Sequence, residues 1–196
     1  MSKAELRRAI RERRRAVSPL EARAAAQRLL RLAMHHRLLK ARRIGFYLPT
    51  AEEIDLLPLI NAALWLGREC YLPVVPQRNA RPLWFSRLTP LPTWYRNRFG
   101  IHEHASPKRV RARALDILFL PLVAFDAEGN RLGMGGGFYD ATLGYLRHRR
   151  VWRKPRLVGV AYEFQRVPQL PREPWDIPLD AVLTDRAFYR FPGSRP

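Results

Sequence analysis

Residues 115–140 read Leu-Asp-Ile-Leu-Phe-Leu-Pro-Leu-Val-Ala-Phe-Asp-Ala-Glu-Gly-Asn-Arg-Leu-Gly-Met-Gly-Gly-Gly-Phe-Tyr-Asp, and this stretch decides the fold. Leu115–Val123 is the most apolar segment of the chain and predicts a buried central strand. Four of the five residues 133–137 are glycine, and a helix is predicted over Tyr139–Arg149. A strand that leads through a glycine-rich loop into a helix is typical of α/β proteins.

The glycine-rich loop predicts a site for a phosphate chain. Four glycines need a reason, because glycine loses more conformational entropy on folding than any other residue. Backbone N–H groups without side chains around them form an anion-binding concavity, and the N-terminus of the next helix adds partial positive charge. The alternative is a tight turn without a ligand. No Gly-Lys-Ser/Thr follows, so this is not a Walker A loop, and the spacing does not fit a dinucleotide fingerprint.

Asp140 is the candidate metal ligand of this loop. It falls in the first turn of the predicted helix, where it could hold a Mg²⁺ that bridges phosphates, since Mg²⁺ binds a few carboxylates together with phosphate oxygens. The alternative role is to complement the helix dipole.

The remaining pattern predicts a three-layer α/β/α fold with a mostly parallel central sheet and an N-terminal helical segment, as one domain over residues 1–196. Residues 89–113 predict a long irregular loop. Ser18 and Glu21 form a predicted capping box at a helix start. The predicted helices are residues 3–15, Ser18 to about Lys40, Asp55–Leu66 and Tyr139–Arg149. The predicted strands are Ile44–Leu48, Glu69–Val75, Leu83–Leu88 at an edge, Leu115–Val123, Arg156–Tyr162 and Ala181–Thr184 as the last. Ligands of such sheets lie beyond the carboxyl ends of the strands.

The charge of the chain indicates an anionic partner. The sequence has 36 Lys and Arg against 17 Asp and Glu, a net charge of +19. Nucleic acid, a polyphosphate nucleotide, a polycarboxylate and an acidic membrane surface all fit this charge, and so do solvated faces without a partner. The excess is concentrated in four runs, which are Lys3–Arg15, Arg37–Arg43, Arg96–Arg113 and Arg147–Arg156.

Several classes of protein are disfavoured. No stretch approaches the roughly 18 apolar residues of a membrane span, and the N-terminus is charged from Lys3 onward, so we expect neither a membrane partner nor a signal peptide. Cys70 is the single cysteine, which fits a reducing cytoplasm, and it is expected as a buried apolar residue rather than a nucleophile. His102-Glu103-His104 lacks further ligands at zinc-like spacing. His35 and His36 are expected to face solvent.

The sequence resembles the 5-formyltetrahydrofolate cyclo-ligase family over nearly its whole length. The most specific block is Phe125-Asp126 followed by Arg131-Leu-Gly-Met-Gly-Gly-Gly-Phe-Tyr-Asp140. The other matching segments follow in the order of the family. They are Lys3-Ala-Glu-Leu-Arg7, Tyr47-Leu-Pro with Glu53 and Ile54, Phe99-Gly-Ile-His-Glu103, Leu122-Val-Ala-Phe-Asp126, Gly159-Val-Ala-Tyr-Glu163 with Gln165, Trp175-Asp176, and Leu179-Asp-Ala-Val-Leu-Thr184.

The resemblance implies closure of 5-formyltetrahydrofolate into 5,10-methenyltetrahydrofolate, driven by ATP with Mg²⁺ and passing through a phosphorylated formyl group. The folate substrate could be mono- or polyglutamylated. The protein is expected to be a monomer. A basic nucleic-acid-binding protein is the alternative function, suggested by the charge and by the aromatic and arginine mixture at Trp84–Arg98. It is less favoured, because a pure binder does not need a carboxylate beside a phosphate-binding loop.

The resemblance also implies roles for individual residues. Lys3 and Arg7 would contact ATP phosphates, Arg131 and Tyr139 would be catalytic, and Asp140 and Asp176 would hold Mg²⁺. The segment that wraps the triphosphate would be Arg131, Leu132, Gly133, Met134, Gly135, Gly136, Gly137, Phe138 and Tyr139. The folate would contact Leu48, Glu53, Met134, Gly135, Gly136, Gly137 and Phe138.

Most of these residues have an ordinary structural alternative. Lys3 and Arg7 could be exposed charges of a basic helix, and Leu48 could be core at the end of a strand. Glu53 could belong to a helix N-terminus, and Asp176 could cap a turn. The sequence departs from the family at Met134, where many members carry a basic residue, and at His104, where the family has proline.

Overall fold

An eight-stranded sheet forms the centre of the fold. The computed structural model describes residues 2–76, 81–89, 93–97, 102–106, 108–148 and 154–191. The strands within these residues are β1 (Arg43–Gly45), β2 (Glu69–Val74), β3 (Trp84–Arg87), β4 (Thr93–Arg96), β5 (His102–Ala105), β6 (Arg109–Val110), β7 (Ile117–Pro121), β8 (Ala124–Phe125), β9 (Arg131–Leu132), β10 (Arg156–Ala161), β11 (Ala181–Thr184) and β12 (Phe188–Arg190). The helices are α1 (Lys3–Arg15), α2 (Pro19–His35), α3 (Leu57–Trp65) and α4 (Phe138–Leu143).

The order of the strands places the topological switch point of the sheet at the neighbouring strands β1 and β7. The sheet runs β12-β11-β10-β7-β1-β2-β3-β6, and the five strands from β11 to β2 are parallel while the outer pairs are antiparallel. From β1 the chain crosses through α3 to β2 on one side, then returns to β7 on the other side of β1. The expected mostly parallel sheet is thus confirmed, and its topological switch point lies beyond the carboxyl ends of β1 and β7.

Both faces of the sheet are covered, which confirms the three layers. On one face α2 and α3 bury residues such as Leu29 and Leu59 against Phe46 and Phe119. On the other face Leu143 of α4 and Leu146 of the following 3₁₀ turn pack against Leu118 and Leu120. Among the described residues, no helix is long and apolar enough to cross a membrane.

Helix α1 packs outside these layers. Its Ile10 is buried with Val123, Ala124 and Leu132, around the two-stranded β8–β9 hairpin. The predicted N-terminal helix is therefore confirmed, and it docks on the chain that follows the central strand β7.

The predicted start of α2 is confirmed, but its predicted end is wrong. Ser18 Oγ accepts from the Glu21 N–H and the Glu21 carboxylate accepts from the Ser18 N–H, which is a complete capping box. The helix ends at His35 rather than Lys40, because Arg37 adopts a left-handed φ of 56° that a helix cannot continue through. His36 is half-buried against the Phe188 ring, so the prediction that it faces solvent is also wrong.

Three further expectations are corrected by short strands. The predicted loop over residues 89–113 contains β4, β5 and β6, while its residues 90–92, 98–101 and 107 lie outside the described part. Strand β3 is not at an edge, since β6 pairs with it, and β11 is not the last strand, since β12 follows. Strands of two to four residues are too short to show a period of two in sequence.

The β4–β5 hairpin is fixed by two buried polar side chains. The Glu103 carboxylate accepts from the Val75 N–H at 2.8 Å and from the side chains of Tyr95 and Asn97. His104 lies between the hydroxyls of Ser86 (3.1 Å) and Thr89 (3.3 Å), and burial lowers its pKa, so the ring is neutral at pH 7. Both residues serve the packing of this hairpin, and His104 lies within strand β5.

The close contact between β10 and its neighbours yields a prediction. A Cβ atom added to Gly159 would lie 2.5 Å from Leu122 Cδ2 and 2.7 Å from Leu179 Cδ1, whereas a Cβ at Gly144 would meet nothing within 4 Å. We expect Gly159→Ala to lower the free energy of unfolding by about 1–3 kcal/mol. Gly144→Ala, with helical φ and ψ, is the matched control and should be neutral or slightly stabilising. Urea unfolding of both variants tests this, and equal stabilities would contradict it.

Candidate active site

Two segments meet at the switch point, one after β1 and one after β7. The first contains Leu48 and Glu53, and the second contains the β8–β9 hairpin, the glycine-rich loop and α4. The candidate residues of these two segments therefore lie where α/β sheets place their ligands.

The chain leaving β7 is held by two side chains from distant parts of the sequence. Arg14 of α1 donates a short hydrogen bond to the Leu122 carbonyl, and Gln165 donates to the carbonyls of Leu122 (2.9 Å) and Val123 (2.8 Å). Arg14 is 5% exposed, and its Nε has no hydrogen-bond partner among the described residues. A buried guanidinium is costly unless paired, so this contact fixes how α1 docks.

The β8–β9 hairpin is organised by Asp126. Its carboxylate accepts from the N–H groups of Glu128, Asn130 and Leu170 and from the Asn130 side-chain amide, all at 2.9–3.0 Å. Asp126 is 1% exposed. The hairpin ends in β9, which delivers Arg131 and the glycine-rich loop to the site.

The glycine-rich loop has the backbone geometry that glycine permits and is lined by arginines. Gly135 and Gly137 have φ of 100° and 65°, values that side-chain-bearing residues rarely adopt. Arg7 Nε donates to the Gly133 carbonyl at 2.9 Å, and the guanidinium of Arg7 reaches within 3.9 Å of where a Cβ on Gly135 would lie. Arg81 Nη1 lies 3.7 Å from the same position on Gly137. These cations stand beside the exposed loop and would neutralise an anion there.

Arg131 and Asp140 form an ion pair across the loop. Arg131 Nη2 donates to Asp140 Oδ1 in a short contact, and the Arg131 side chain is 5% exposed while that of Asp140 is 30% exposed. The Arg131 Nε is buried without a hydrogen-bond partner among the described residues. The buried Arg131 guanidinium and the partly accessible Asp140 carboxylate therefore lie next to each other beside the loop.

The helix after the loop is shorter than predicted. The expected helix over Tyr139–Arg149 is an α-helix of six residues, Phe138–Leu143, followed by a 3₁₀ turn over Gly144–His148, and Arg149 lies outside the described residues. A helix of six residues has a small dipole, so the positive potential at the loop comes mainly from backbone N–H groups and arginines.

The segment after β1 brings a carboxylate to this site. Glu53 accepts from the Thr50 N–H at 2.9 Å, and the neighbouring Glu52 pairs with Arg15 of α1 at 2.7 Å. Burial, followed by the Glu53 charge, raises the pKa of Tyr139, and the same two causes raise that of Tyr47. Both hydroxyls thus lie within electrostatic reach of Glu53 and keep their protons at neutral pH.

Asp176 is connected to α1 through Glu173. Asp176 Oδ2 accepts from the Glu173 N–H at 2.9 Å, and Lys3 Nζ pairs with the Glu173 carboxylate at 3.3 Å. Nothing in the described geometry joins Asp176 directly to Asp140. In the described ranges, no group of three or more His, Cys, Asp or Glu side chains is placed to hold a metal ion.

Sequence reasoning missed Arg14, Arg81 and Tyr47 as parts of this site. Tyr47 stood within a matching motif, so a signal existed for it. Arg14 was hidden in a run of arginines, and Arg81 lies in a region without a motif. Leu48 is half-buried against the core. This position agrees both with a folate contact and with a core residue at the end of a strand.

A mostly parallel sheet with a cation-lined glycine-rich loop at its switch point is the arrangement of α/β proteins that bind phosphorylated ligands. The model of the 5-formyltetrahydrofolate cyclo-ligase family matches residues 1–185, and the chain belongs to this family. It is accordingly a ligase.

Relatives of known name and structure agree with this family. The chain is 40% identical over 178 residues to the 5-formyltetrahydrofolate cyclo-ligase of Escherichia coli (strain K12), covering 89% of this chain and 96% of that one. It is 30% identical over 196 residues to the enzyme of the same name from Mus musculus, covering 93% of each. The structure of Aquifex aeolicus 5,10-methenyltetrahydrofolate synthetase superposes with a TM-score of 0.82 at 34% identity, covering 100% of this chain and 96% of that one.

The role of Asp126 in supporting the loop can be tested by stability. Asp126→Ala leaves several buried N–H donors without an acceptor, so we expect a loss of about 3 kcal/mol in the free energy of unfolding. Glu128→Ala, an exposed carboxylate two residues away, is the control and should change stability by less than about 0.5 kcal/mol. Urea unfolding measures both, and a stable Asp126→Ala variant would show that the hairpin does not depend on this carboxylate.

Proposed function

We propose that this protein couples ATP hydrolysis to closure of 5-formyltetrahydrofolate into 5,10-methenyltetrahydrofolate, with release of ADP and phosphate. The observation that carries the proposal is the arginine-lined glycine-rich loop, which shares the switch point with Glu53. The names of the relatives support the substrate. Family membership extends over the same residues that form the site.

The triphosphate of ATP lies along the loop in this proposal. Arg7 already contacts the loop backbone at Gly133, and its charge stands beside Gly135. Lys3 reaches the phosphates from the first turn of α1 by exchanging its exposed partner Glu173, since an ion pair of this exposure is weak. The backbone N–H groups of residues 131–139 complete the cradle.

Mg²⁺ fits the donor set when the nucleotide is bound. Mg²⁺ needs one or two carboxylates together with substrate phosphates and waters, so a closed cluster of protein ligands is not required. Asp140 and Asp176 would hold the ion, and the partly exposed Asp140 carboxylate keeps an oxygen that Arg131 does not engage. When bound, the ion neutralises charge on the phosphates.

The folate occupies the space between the β1 segment and the loop. Glu53 is an acceptor for the N–H groups of the pterin's amidine-like edge, and Leu48 supplies apolar contact. Residues 134–138 contact the formyl end. This placement brings the formyl oxygen to the γ-phosphate, and the enzyme acts mainly by positioning the two substrates.

The reaction then proceeds in two substitutions. The formyl oxygen attacks the γ-phosphorus and ADP leaves, so that the oxygen becomes part of a phosphate leaving group. The N10 lone pair next attacks the activated formyl carbon, the carbon–oxygen bond breaks, phosphate departs and N10 loses its proton. Arg131 stabilises charge on the transferring phosphoryl group, and the Tyr139 hydroxyl orients the reacting group as a hydrogen-bond donor.

Arg11 compensates for Met134 in this proposal. Met134 is 53% exposed, and Arg11 Nη2 lies 3.9 Å from its sulfur. The cation that many family members carry on the loop is thus supplied here from α1.

Further features of the function follow from the same face of α1. A groove of about 360 Å³ is lined by Ala4, Arg7, Arg8, Arg11, Glu12 and Arg15. Its four arginines suit a substrate with additional glutamate carboxylates, so both mono- and polyglutamylated folates are accepted. We further propose that the chain acts as one domain and as a monomer, and that it works in the cytoplasm. A single cysteine agrees with a reducing cytoplasm. Cys70 is buried, and burial raises the pKa of its thiol to about 12.

An absorbance assay tests the proposed reaction. Purified protein incubated with 5-formyltetrahydrofolate should form the methenyl product, which absorbs in the near ultraviolet, only when ATP and Mg²⁺ are both present. Omission of either is the control. Absence of product with both would refute the proposed function.

Asp140→Asn tests the metal role. Removing the charge should lower kcat by about 100-fold or more, because the phosphoryl group then lacks its bound metal ion. Glu128→Gln, an exposed carboxylate on the adjacent hairpin, should keep the activity of the unchanged protein, and both variants should retain their melting temperature within a few degrees. An active Asp140→Asn variant would remove the support for a metal at this position.

Oxygen labelling tests the phosphorylated intermediate. With ¹⁸O in the formyl group, the attack on phosphorus carries the label into the released phosphate. We expect a ³¹P resonance shifted by one ¹⁸O atom per phosphate in a single turnover. Unlabelled phosphate together with methenyl product would contradict this order of steps.

A further inference from the structure

The edge of the sheet opposite the active site carries many cations. It comprises the segments that enter the parallel strands from their amino ends and the last residue of β12, which pairs with the first residue of β11. Nine Lys and Arg of the described residues lie here, and they are Arg37, Lys40, Arg42, Arg43, Arg68, Arg113, Lys154, Arg156 and Arg190. We call this set the amino-edge row.

The acidic residues of this edge are already engaged. They are Glu69, Asp116 and Asp180. Glu69 pairs with Arg42 and Arg43, and the hydrogen bond from Tyr71 lowers its pKa. Asp116 pairs with Lys154 at 2.6 Å, and Asp180 accepts from the Leu157 N–H at 2.6 Å. The edge therefore keeps a surplus of positive charge that its own carboxylates do not neutralise.

The order of the strands spaces these cations along the edge, on both faces of the sheet. Arg190, Arg156, Arg43 and Arg68 belong to β12, β10, β1 and the entry of β2, and five strand spacings of about 4.8 Å separate β12 from β2, roughly 24 Å. A cationic edge of this length fits a polymer with many negative charges better than one small anion.

One end of the row combines arginines with aromatic rings. The guanidinium carbons of Arg156 and Arg190 each lie 5.6 Å from the centroid of the Phe188 ring, and the His36 ring lies against the same ring at 4.6 Å. Arg156 has two buried nitrogens, Nε and Nη2, without a hydrogen-bond partner among the described residues. Burial and the neighbouring Arg190 charge lower its pKa. The exposed Arg190 guanidinium is a donor for a phosphate oxygen at this end, and the Arg156 charge beside it adds to the positive potential.

The other end of the row carries an exposed indole. Trp65 is the last residue of α3, four residues before β2, and is 85% exposed. An indole this exposed has lost little water on folding and offers a free face for stacking. Aromatic side chains beside a cationic groove are the means by which proteins bind single strands.

We propose that the amino-edge row binds single-stranded nucleic acid, with phosphates on its lysines and arginines and a base stacked on Trp65. This activity goes beyond the proposed ligase function and uses none of its residues. Arginine makes up most of the row, and its planar guanidinium suits phosphate oxygens. An anionic membrane is less suited, because Trp65 is the one strongly exposed aromatic side chain among the described residues of this edge.

Fluorescence anisotropy of a labelled 20-nucleotide oligouridine at about 50 mM salt tests the proposal. The double variant Lys40→Glu/Arg190→Glu should bind at least tenfold more weakly, and the slope of log K against log salt should fall by about 1.4. The control Arg23→Glu/Arg186→Glu changes the net charge equally at exposed positions away from the row and should bind within threefold of the unchanged protein. Trp65→Ala should weaken binding without changing the slope.

The same variants separate this proposal from its alternatives. Both double variants should keep the ligase activity of the unchanged protein. If the proposed reaction were wrong, the unchanged protein would also lack that activity, so the two failures are distinguishable. Equal weakening by the two double variants would show that net charge alone binds RNA, and absence of binding would overturn the proposal outright. Sedimentation with phosphatidylserine vesicles but no binding of oligouridine would assign the row to a membrane instead. An equal affinity for oligothymidine would leave the proposal intact and show that the 2′-hydroxyl is not read.

Discussion

Hydrogen bonds from two arginines of α1 to backbone carbonyls hold the site together. Arg14 donates to Leu122, where the chain leaves the central strand, and Arg7 donates to Gly133, where the glycine-rich loop begins. These carbonyls bracket the β8–β9 hairpin, so the position of α1 sets the position of the loop. Arg14 is buried, and moving α1 would leave a guanidinium and a carbonyl unpaired in the interior. The geometry of the loop therefore depends on the first 15 residues of the chain.

Positive charge is in surplus at both the carboxyl ends and the amino ends of the parallel strands. Many carboxylates form ion pairs within the protein, as in the pairs Arg131–Asp140, Arg15–Glu52 and Lys154–Asp116. The surplus of arginine then remains at the surface, beside the glycine-rich loop at the carboxyl edge and in the amino-edge row. Positive charge therefore lies at two separate places, and the one at the glycine-rich loop also has the partly exposed Asp140 carboxylate.

Local signals carried most of the fold prediction, and distant contacts limited the rest. The capping box at Ser18 and the apolar runs of the parallel strands were readable, because each depends on neighbours in sequence. Arg14 could not be recognised, since its acceptor Leu122 lies 108 residues away and only the folded chain buries both. Glu103 and His104 lack further ligands at zinc-like spacing in the sequence, but only tertiary contacts show that they are packing residues of a hairpin. At the site, the glycine-rich loop and Asp140 were predicted from their types and spacing, whereas Arg81 has no pattern around it.

Amide hydrogen exchange of the full protein with and without Mg²⁺ and ATP tests the central claim, that the glycine-rich loop held by α1 is the nucleotide site. Peptides covering residues 131–138 and the first turns of α1 should exchange at least tenfold more slowly when the nucleotide is bound, and the amino-edge row should be unchanged. Slower exchange elsewhere, with no change in residues 131–138, would contradict the account.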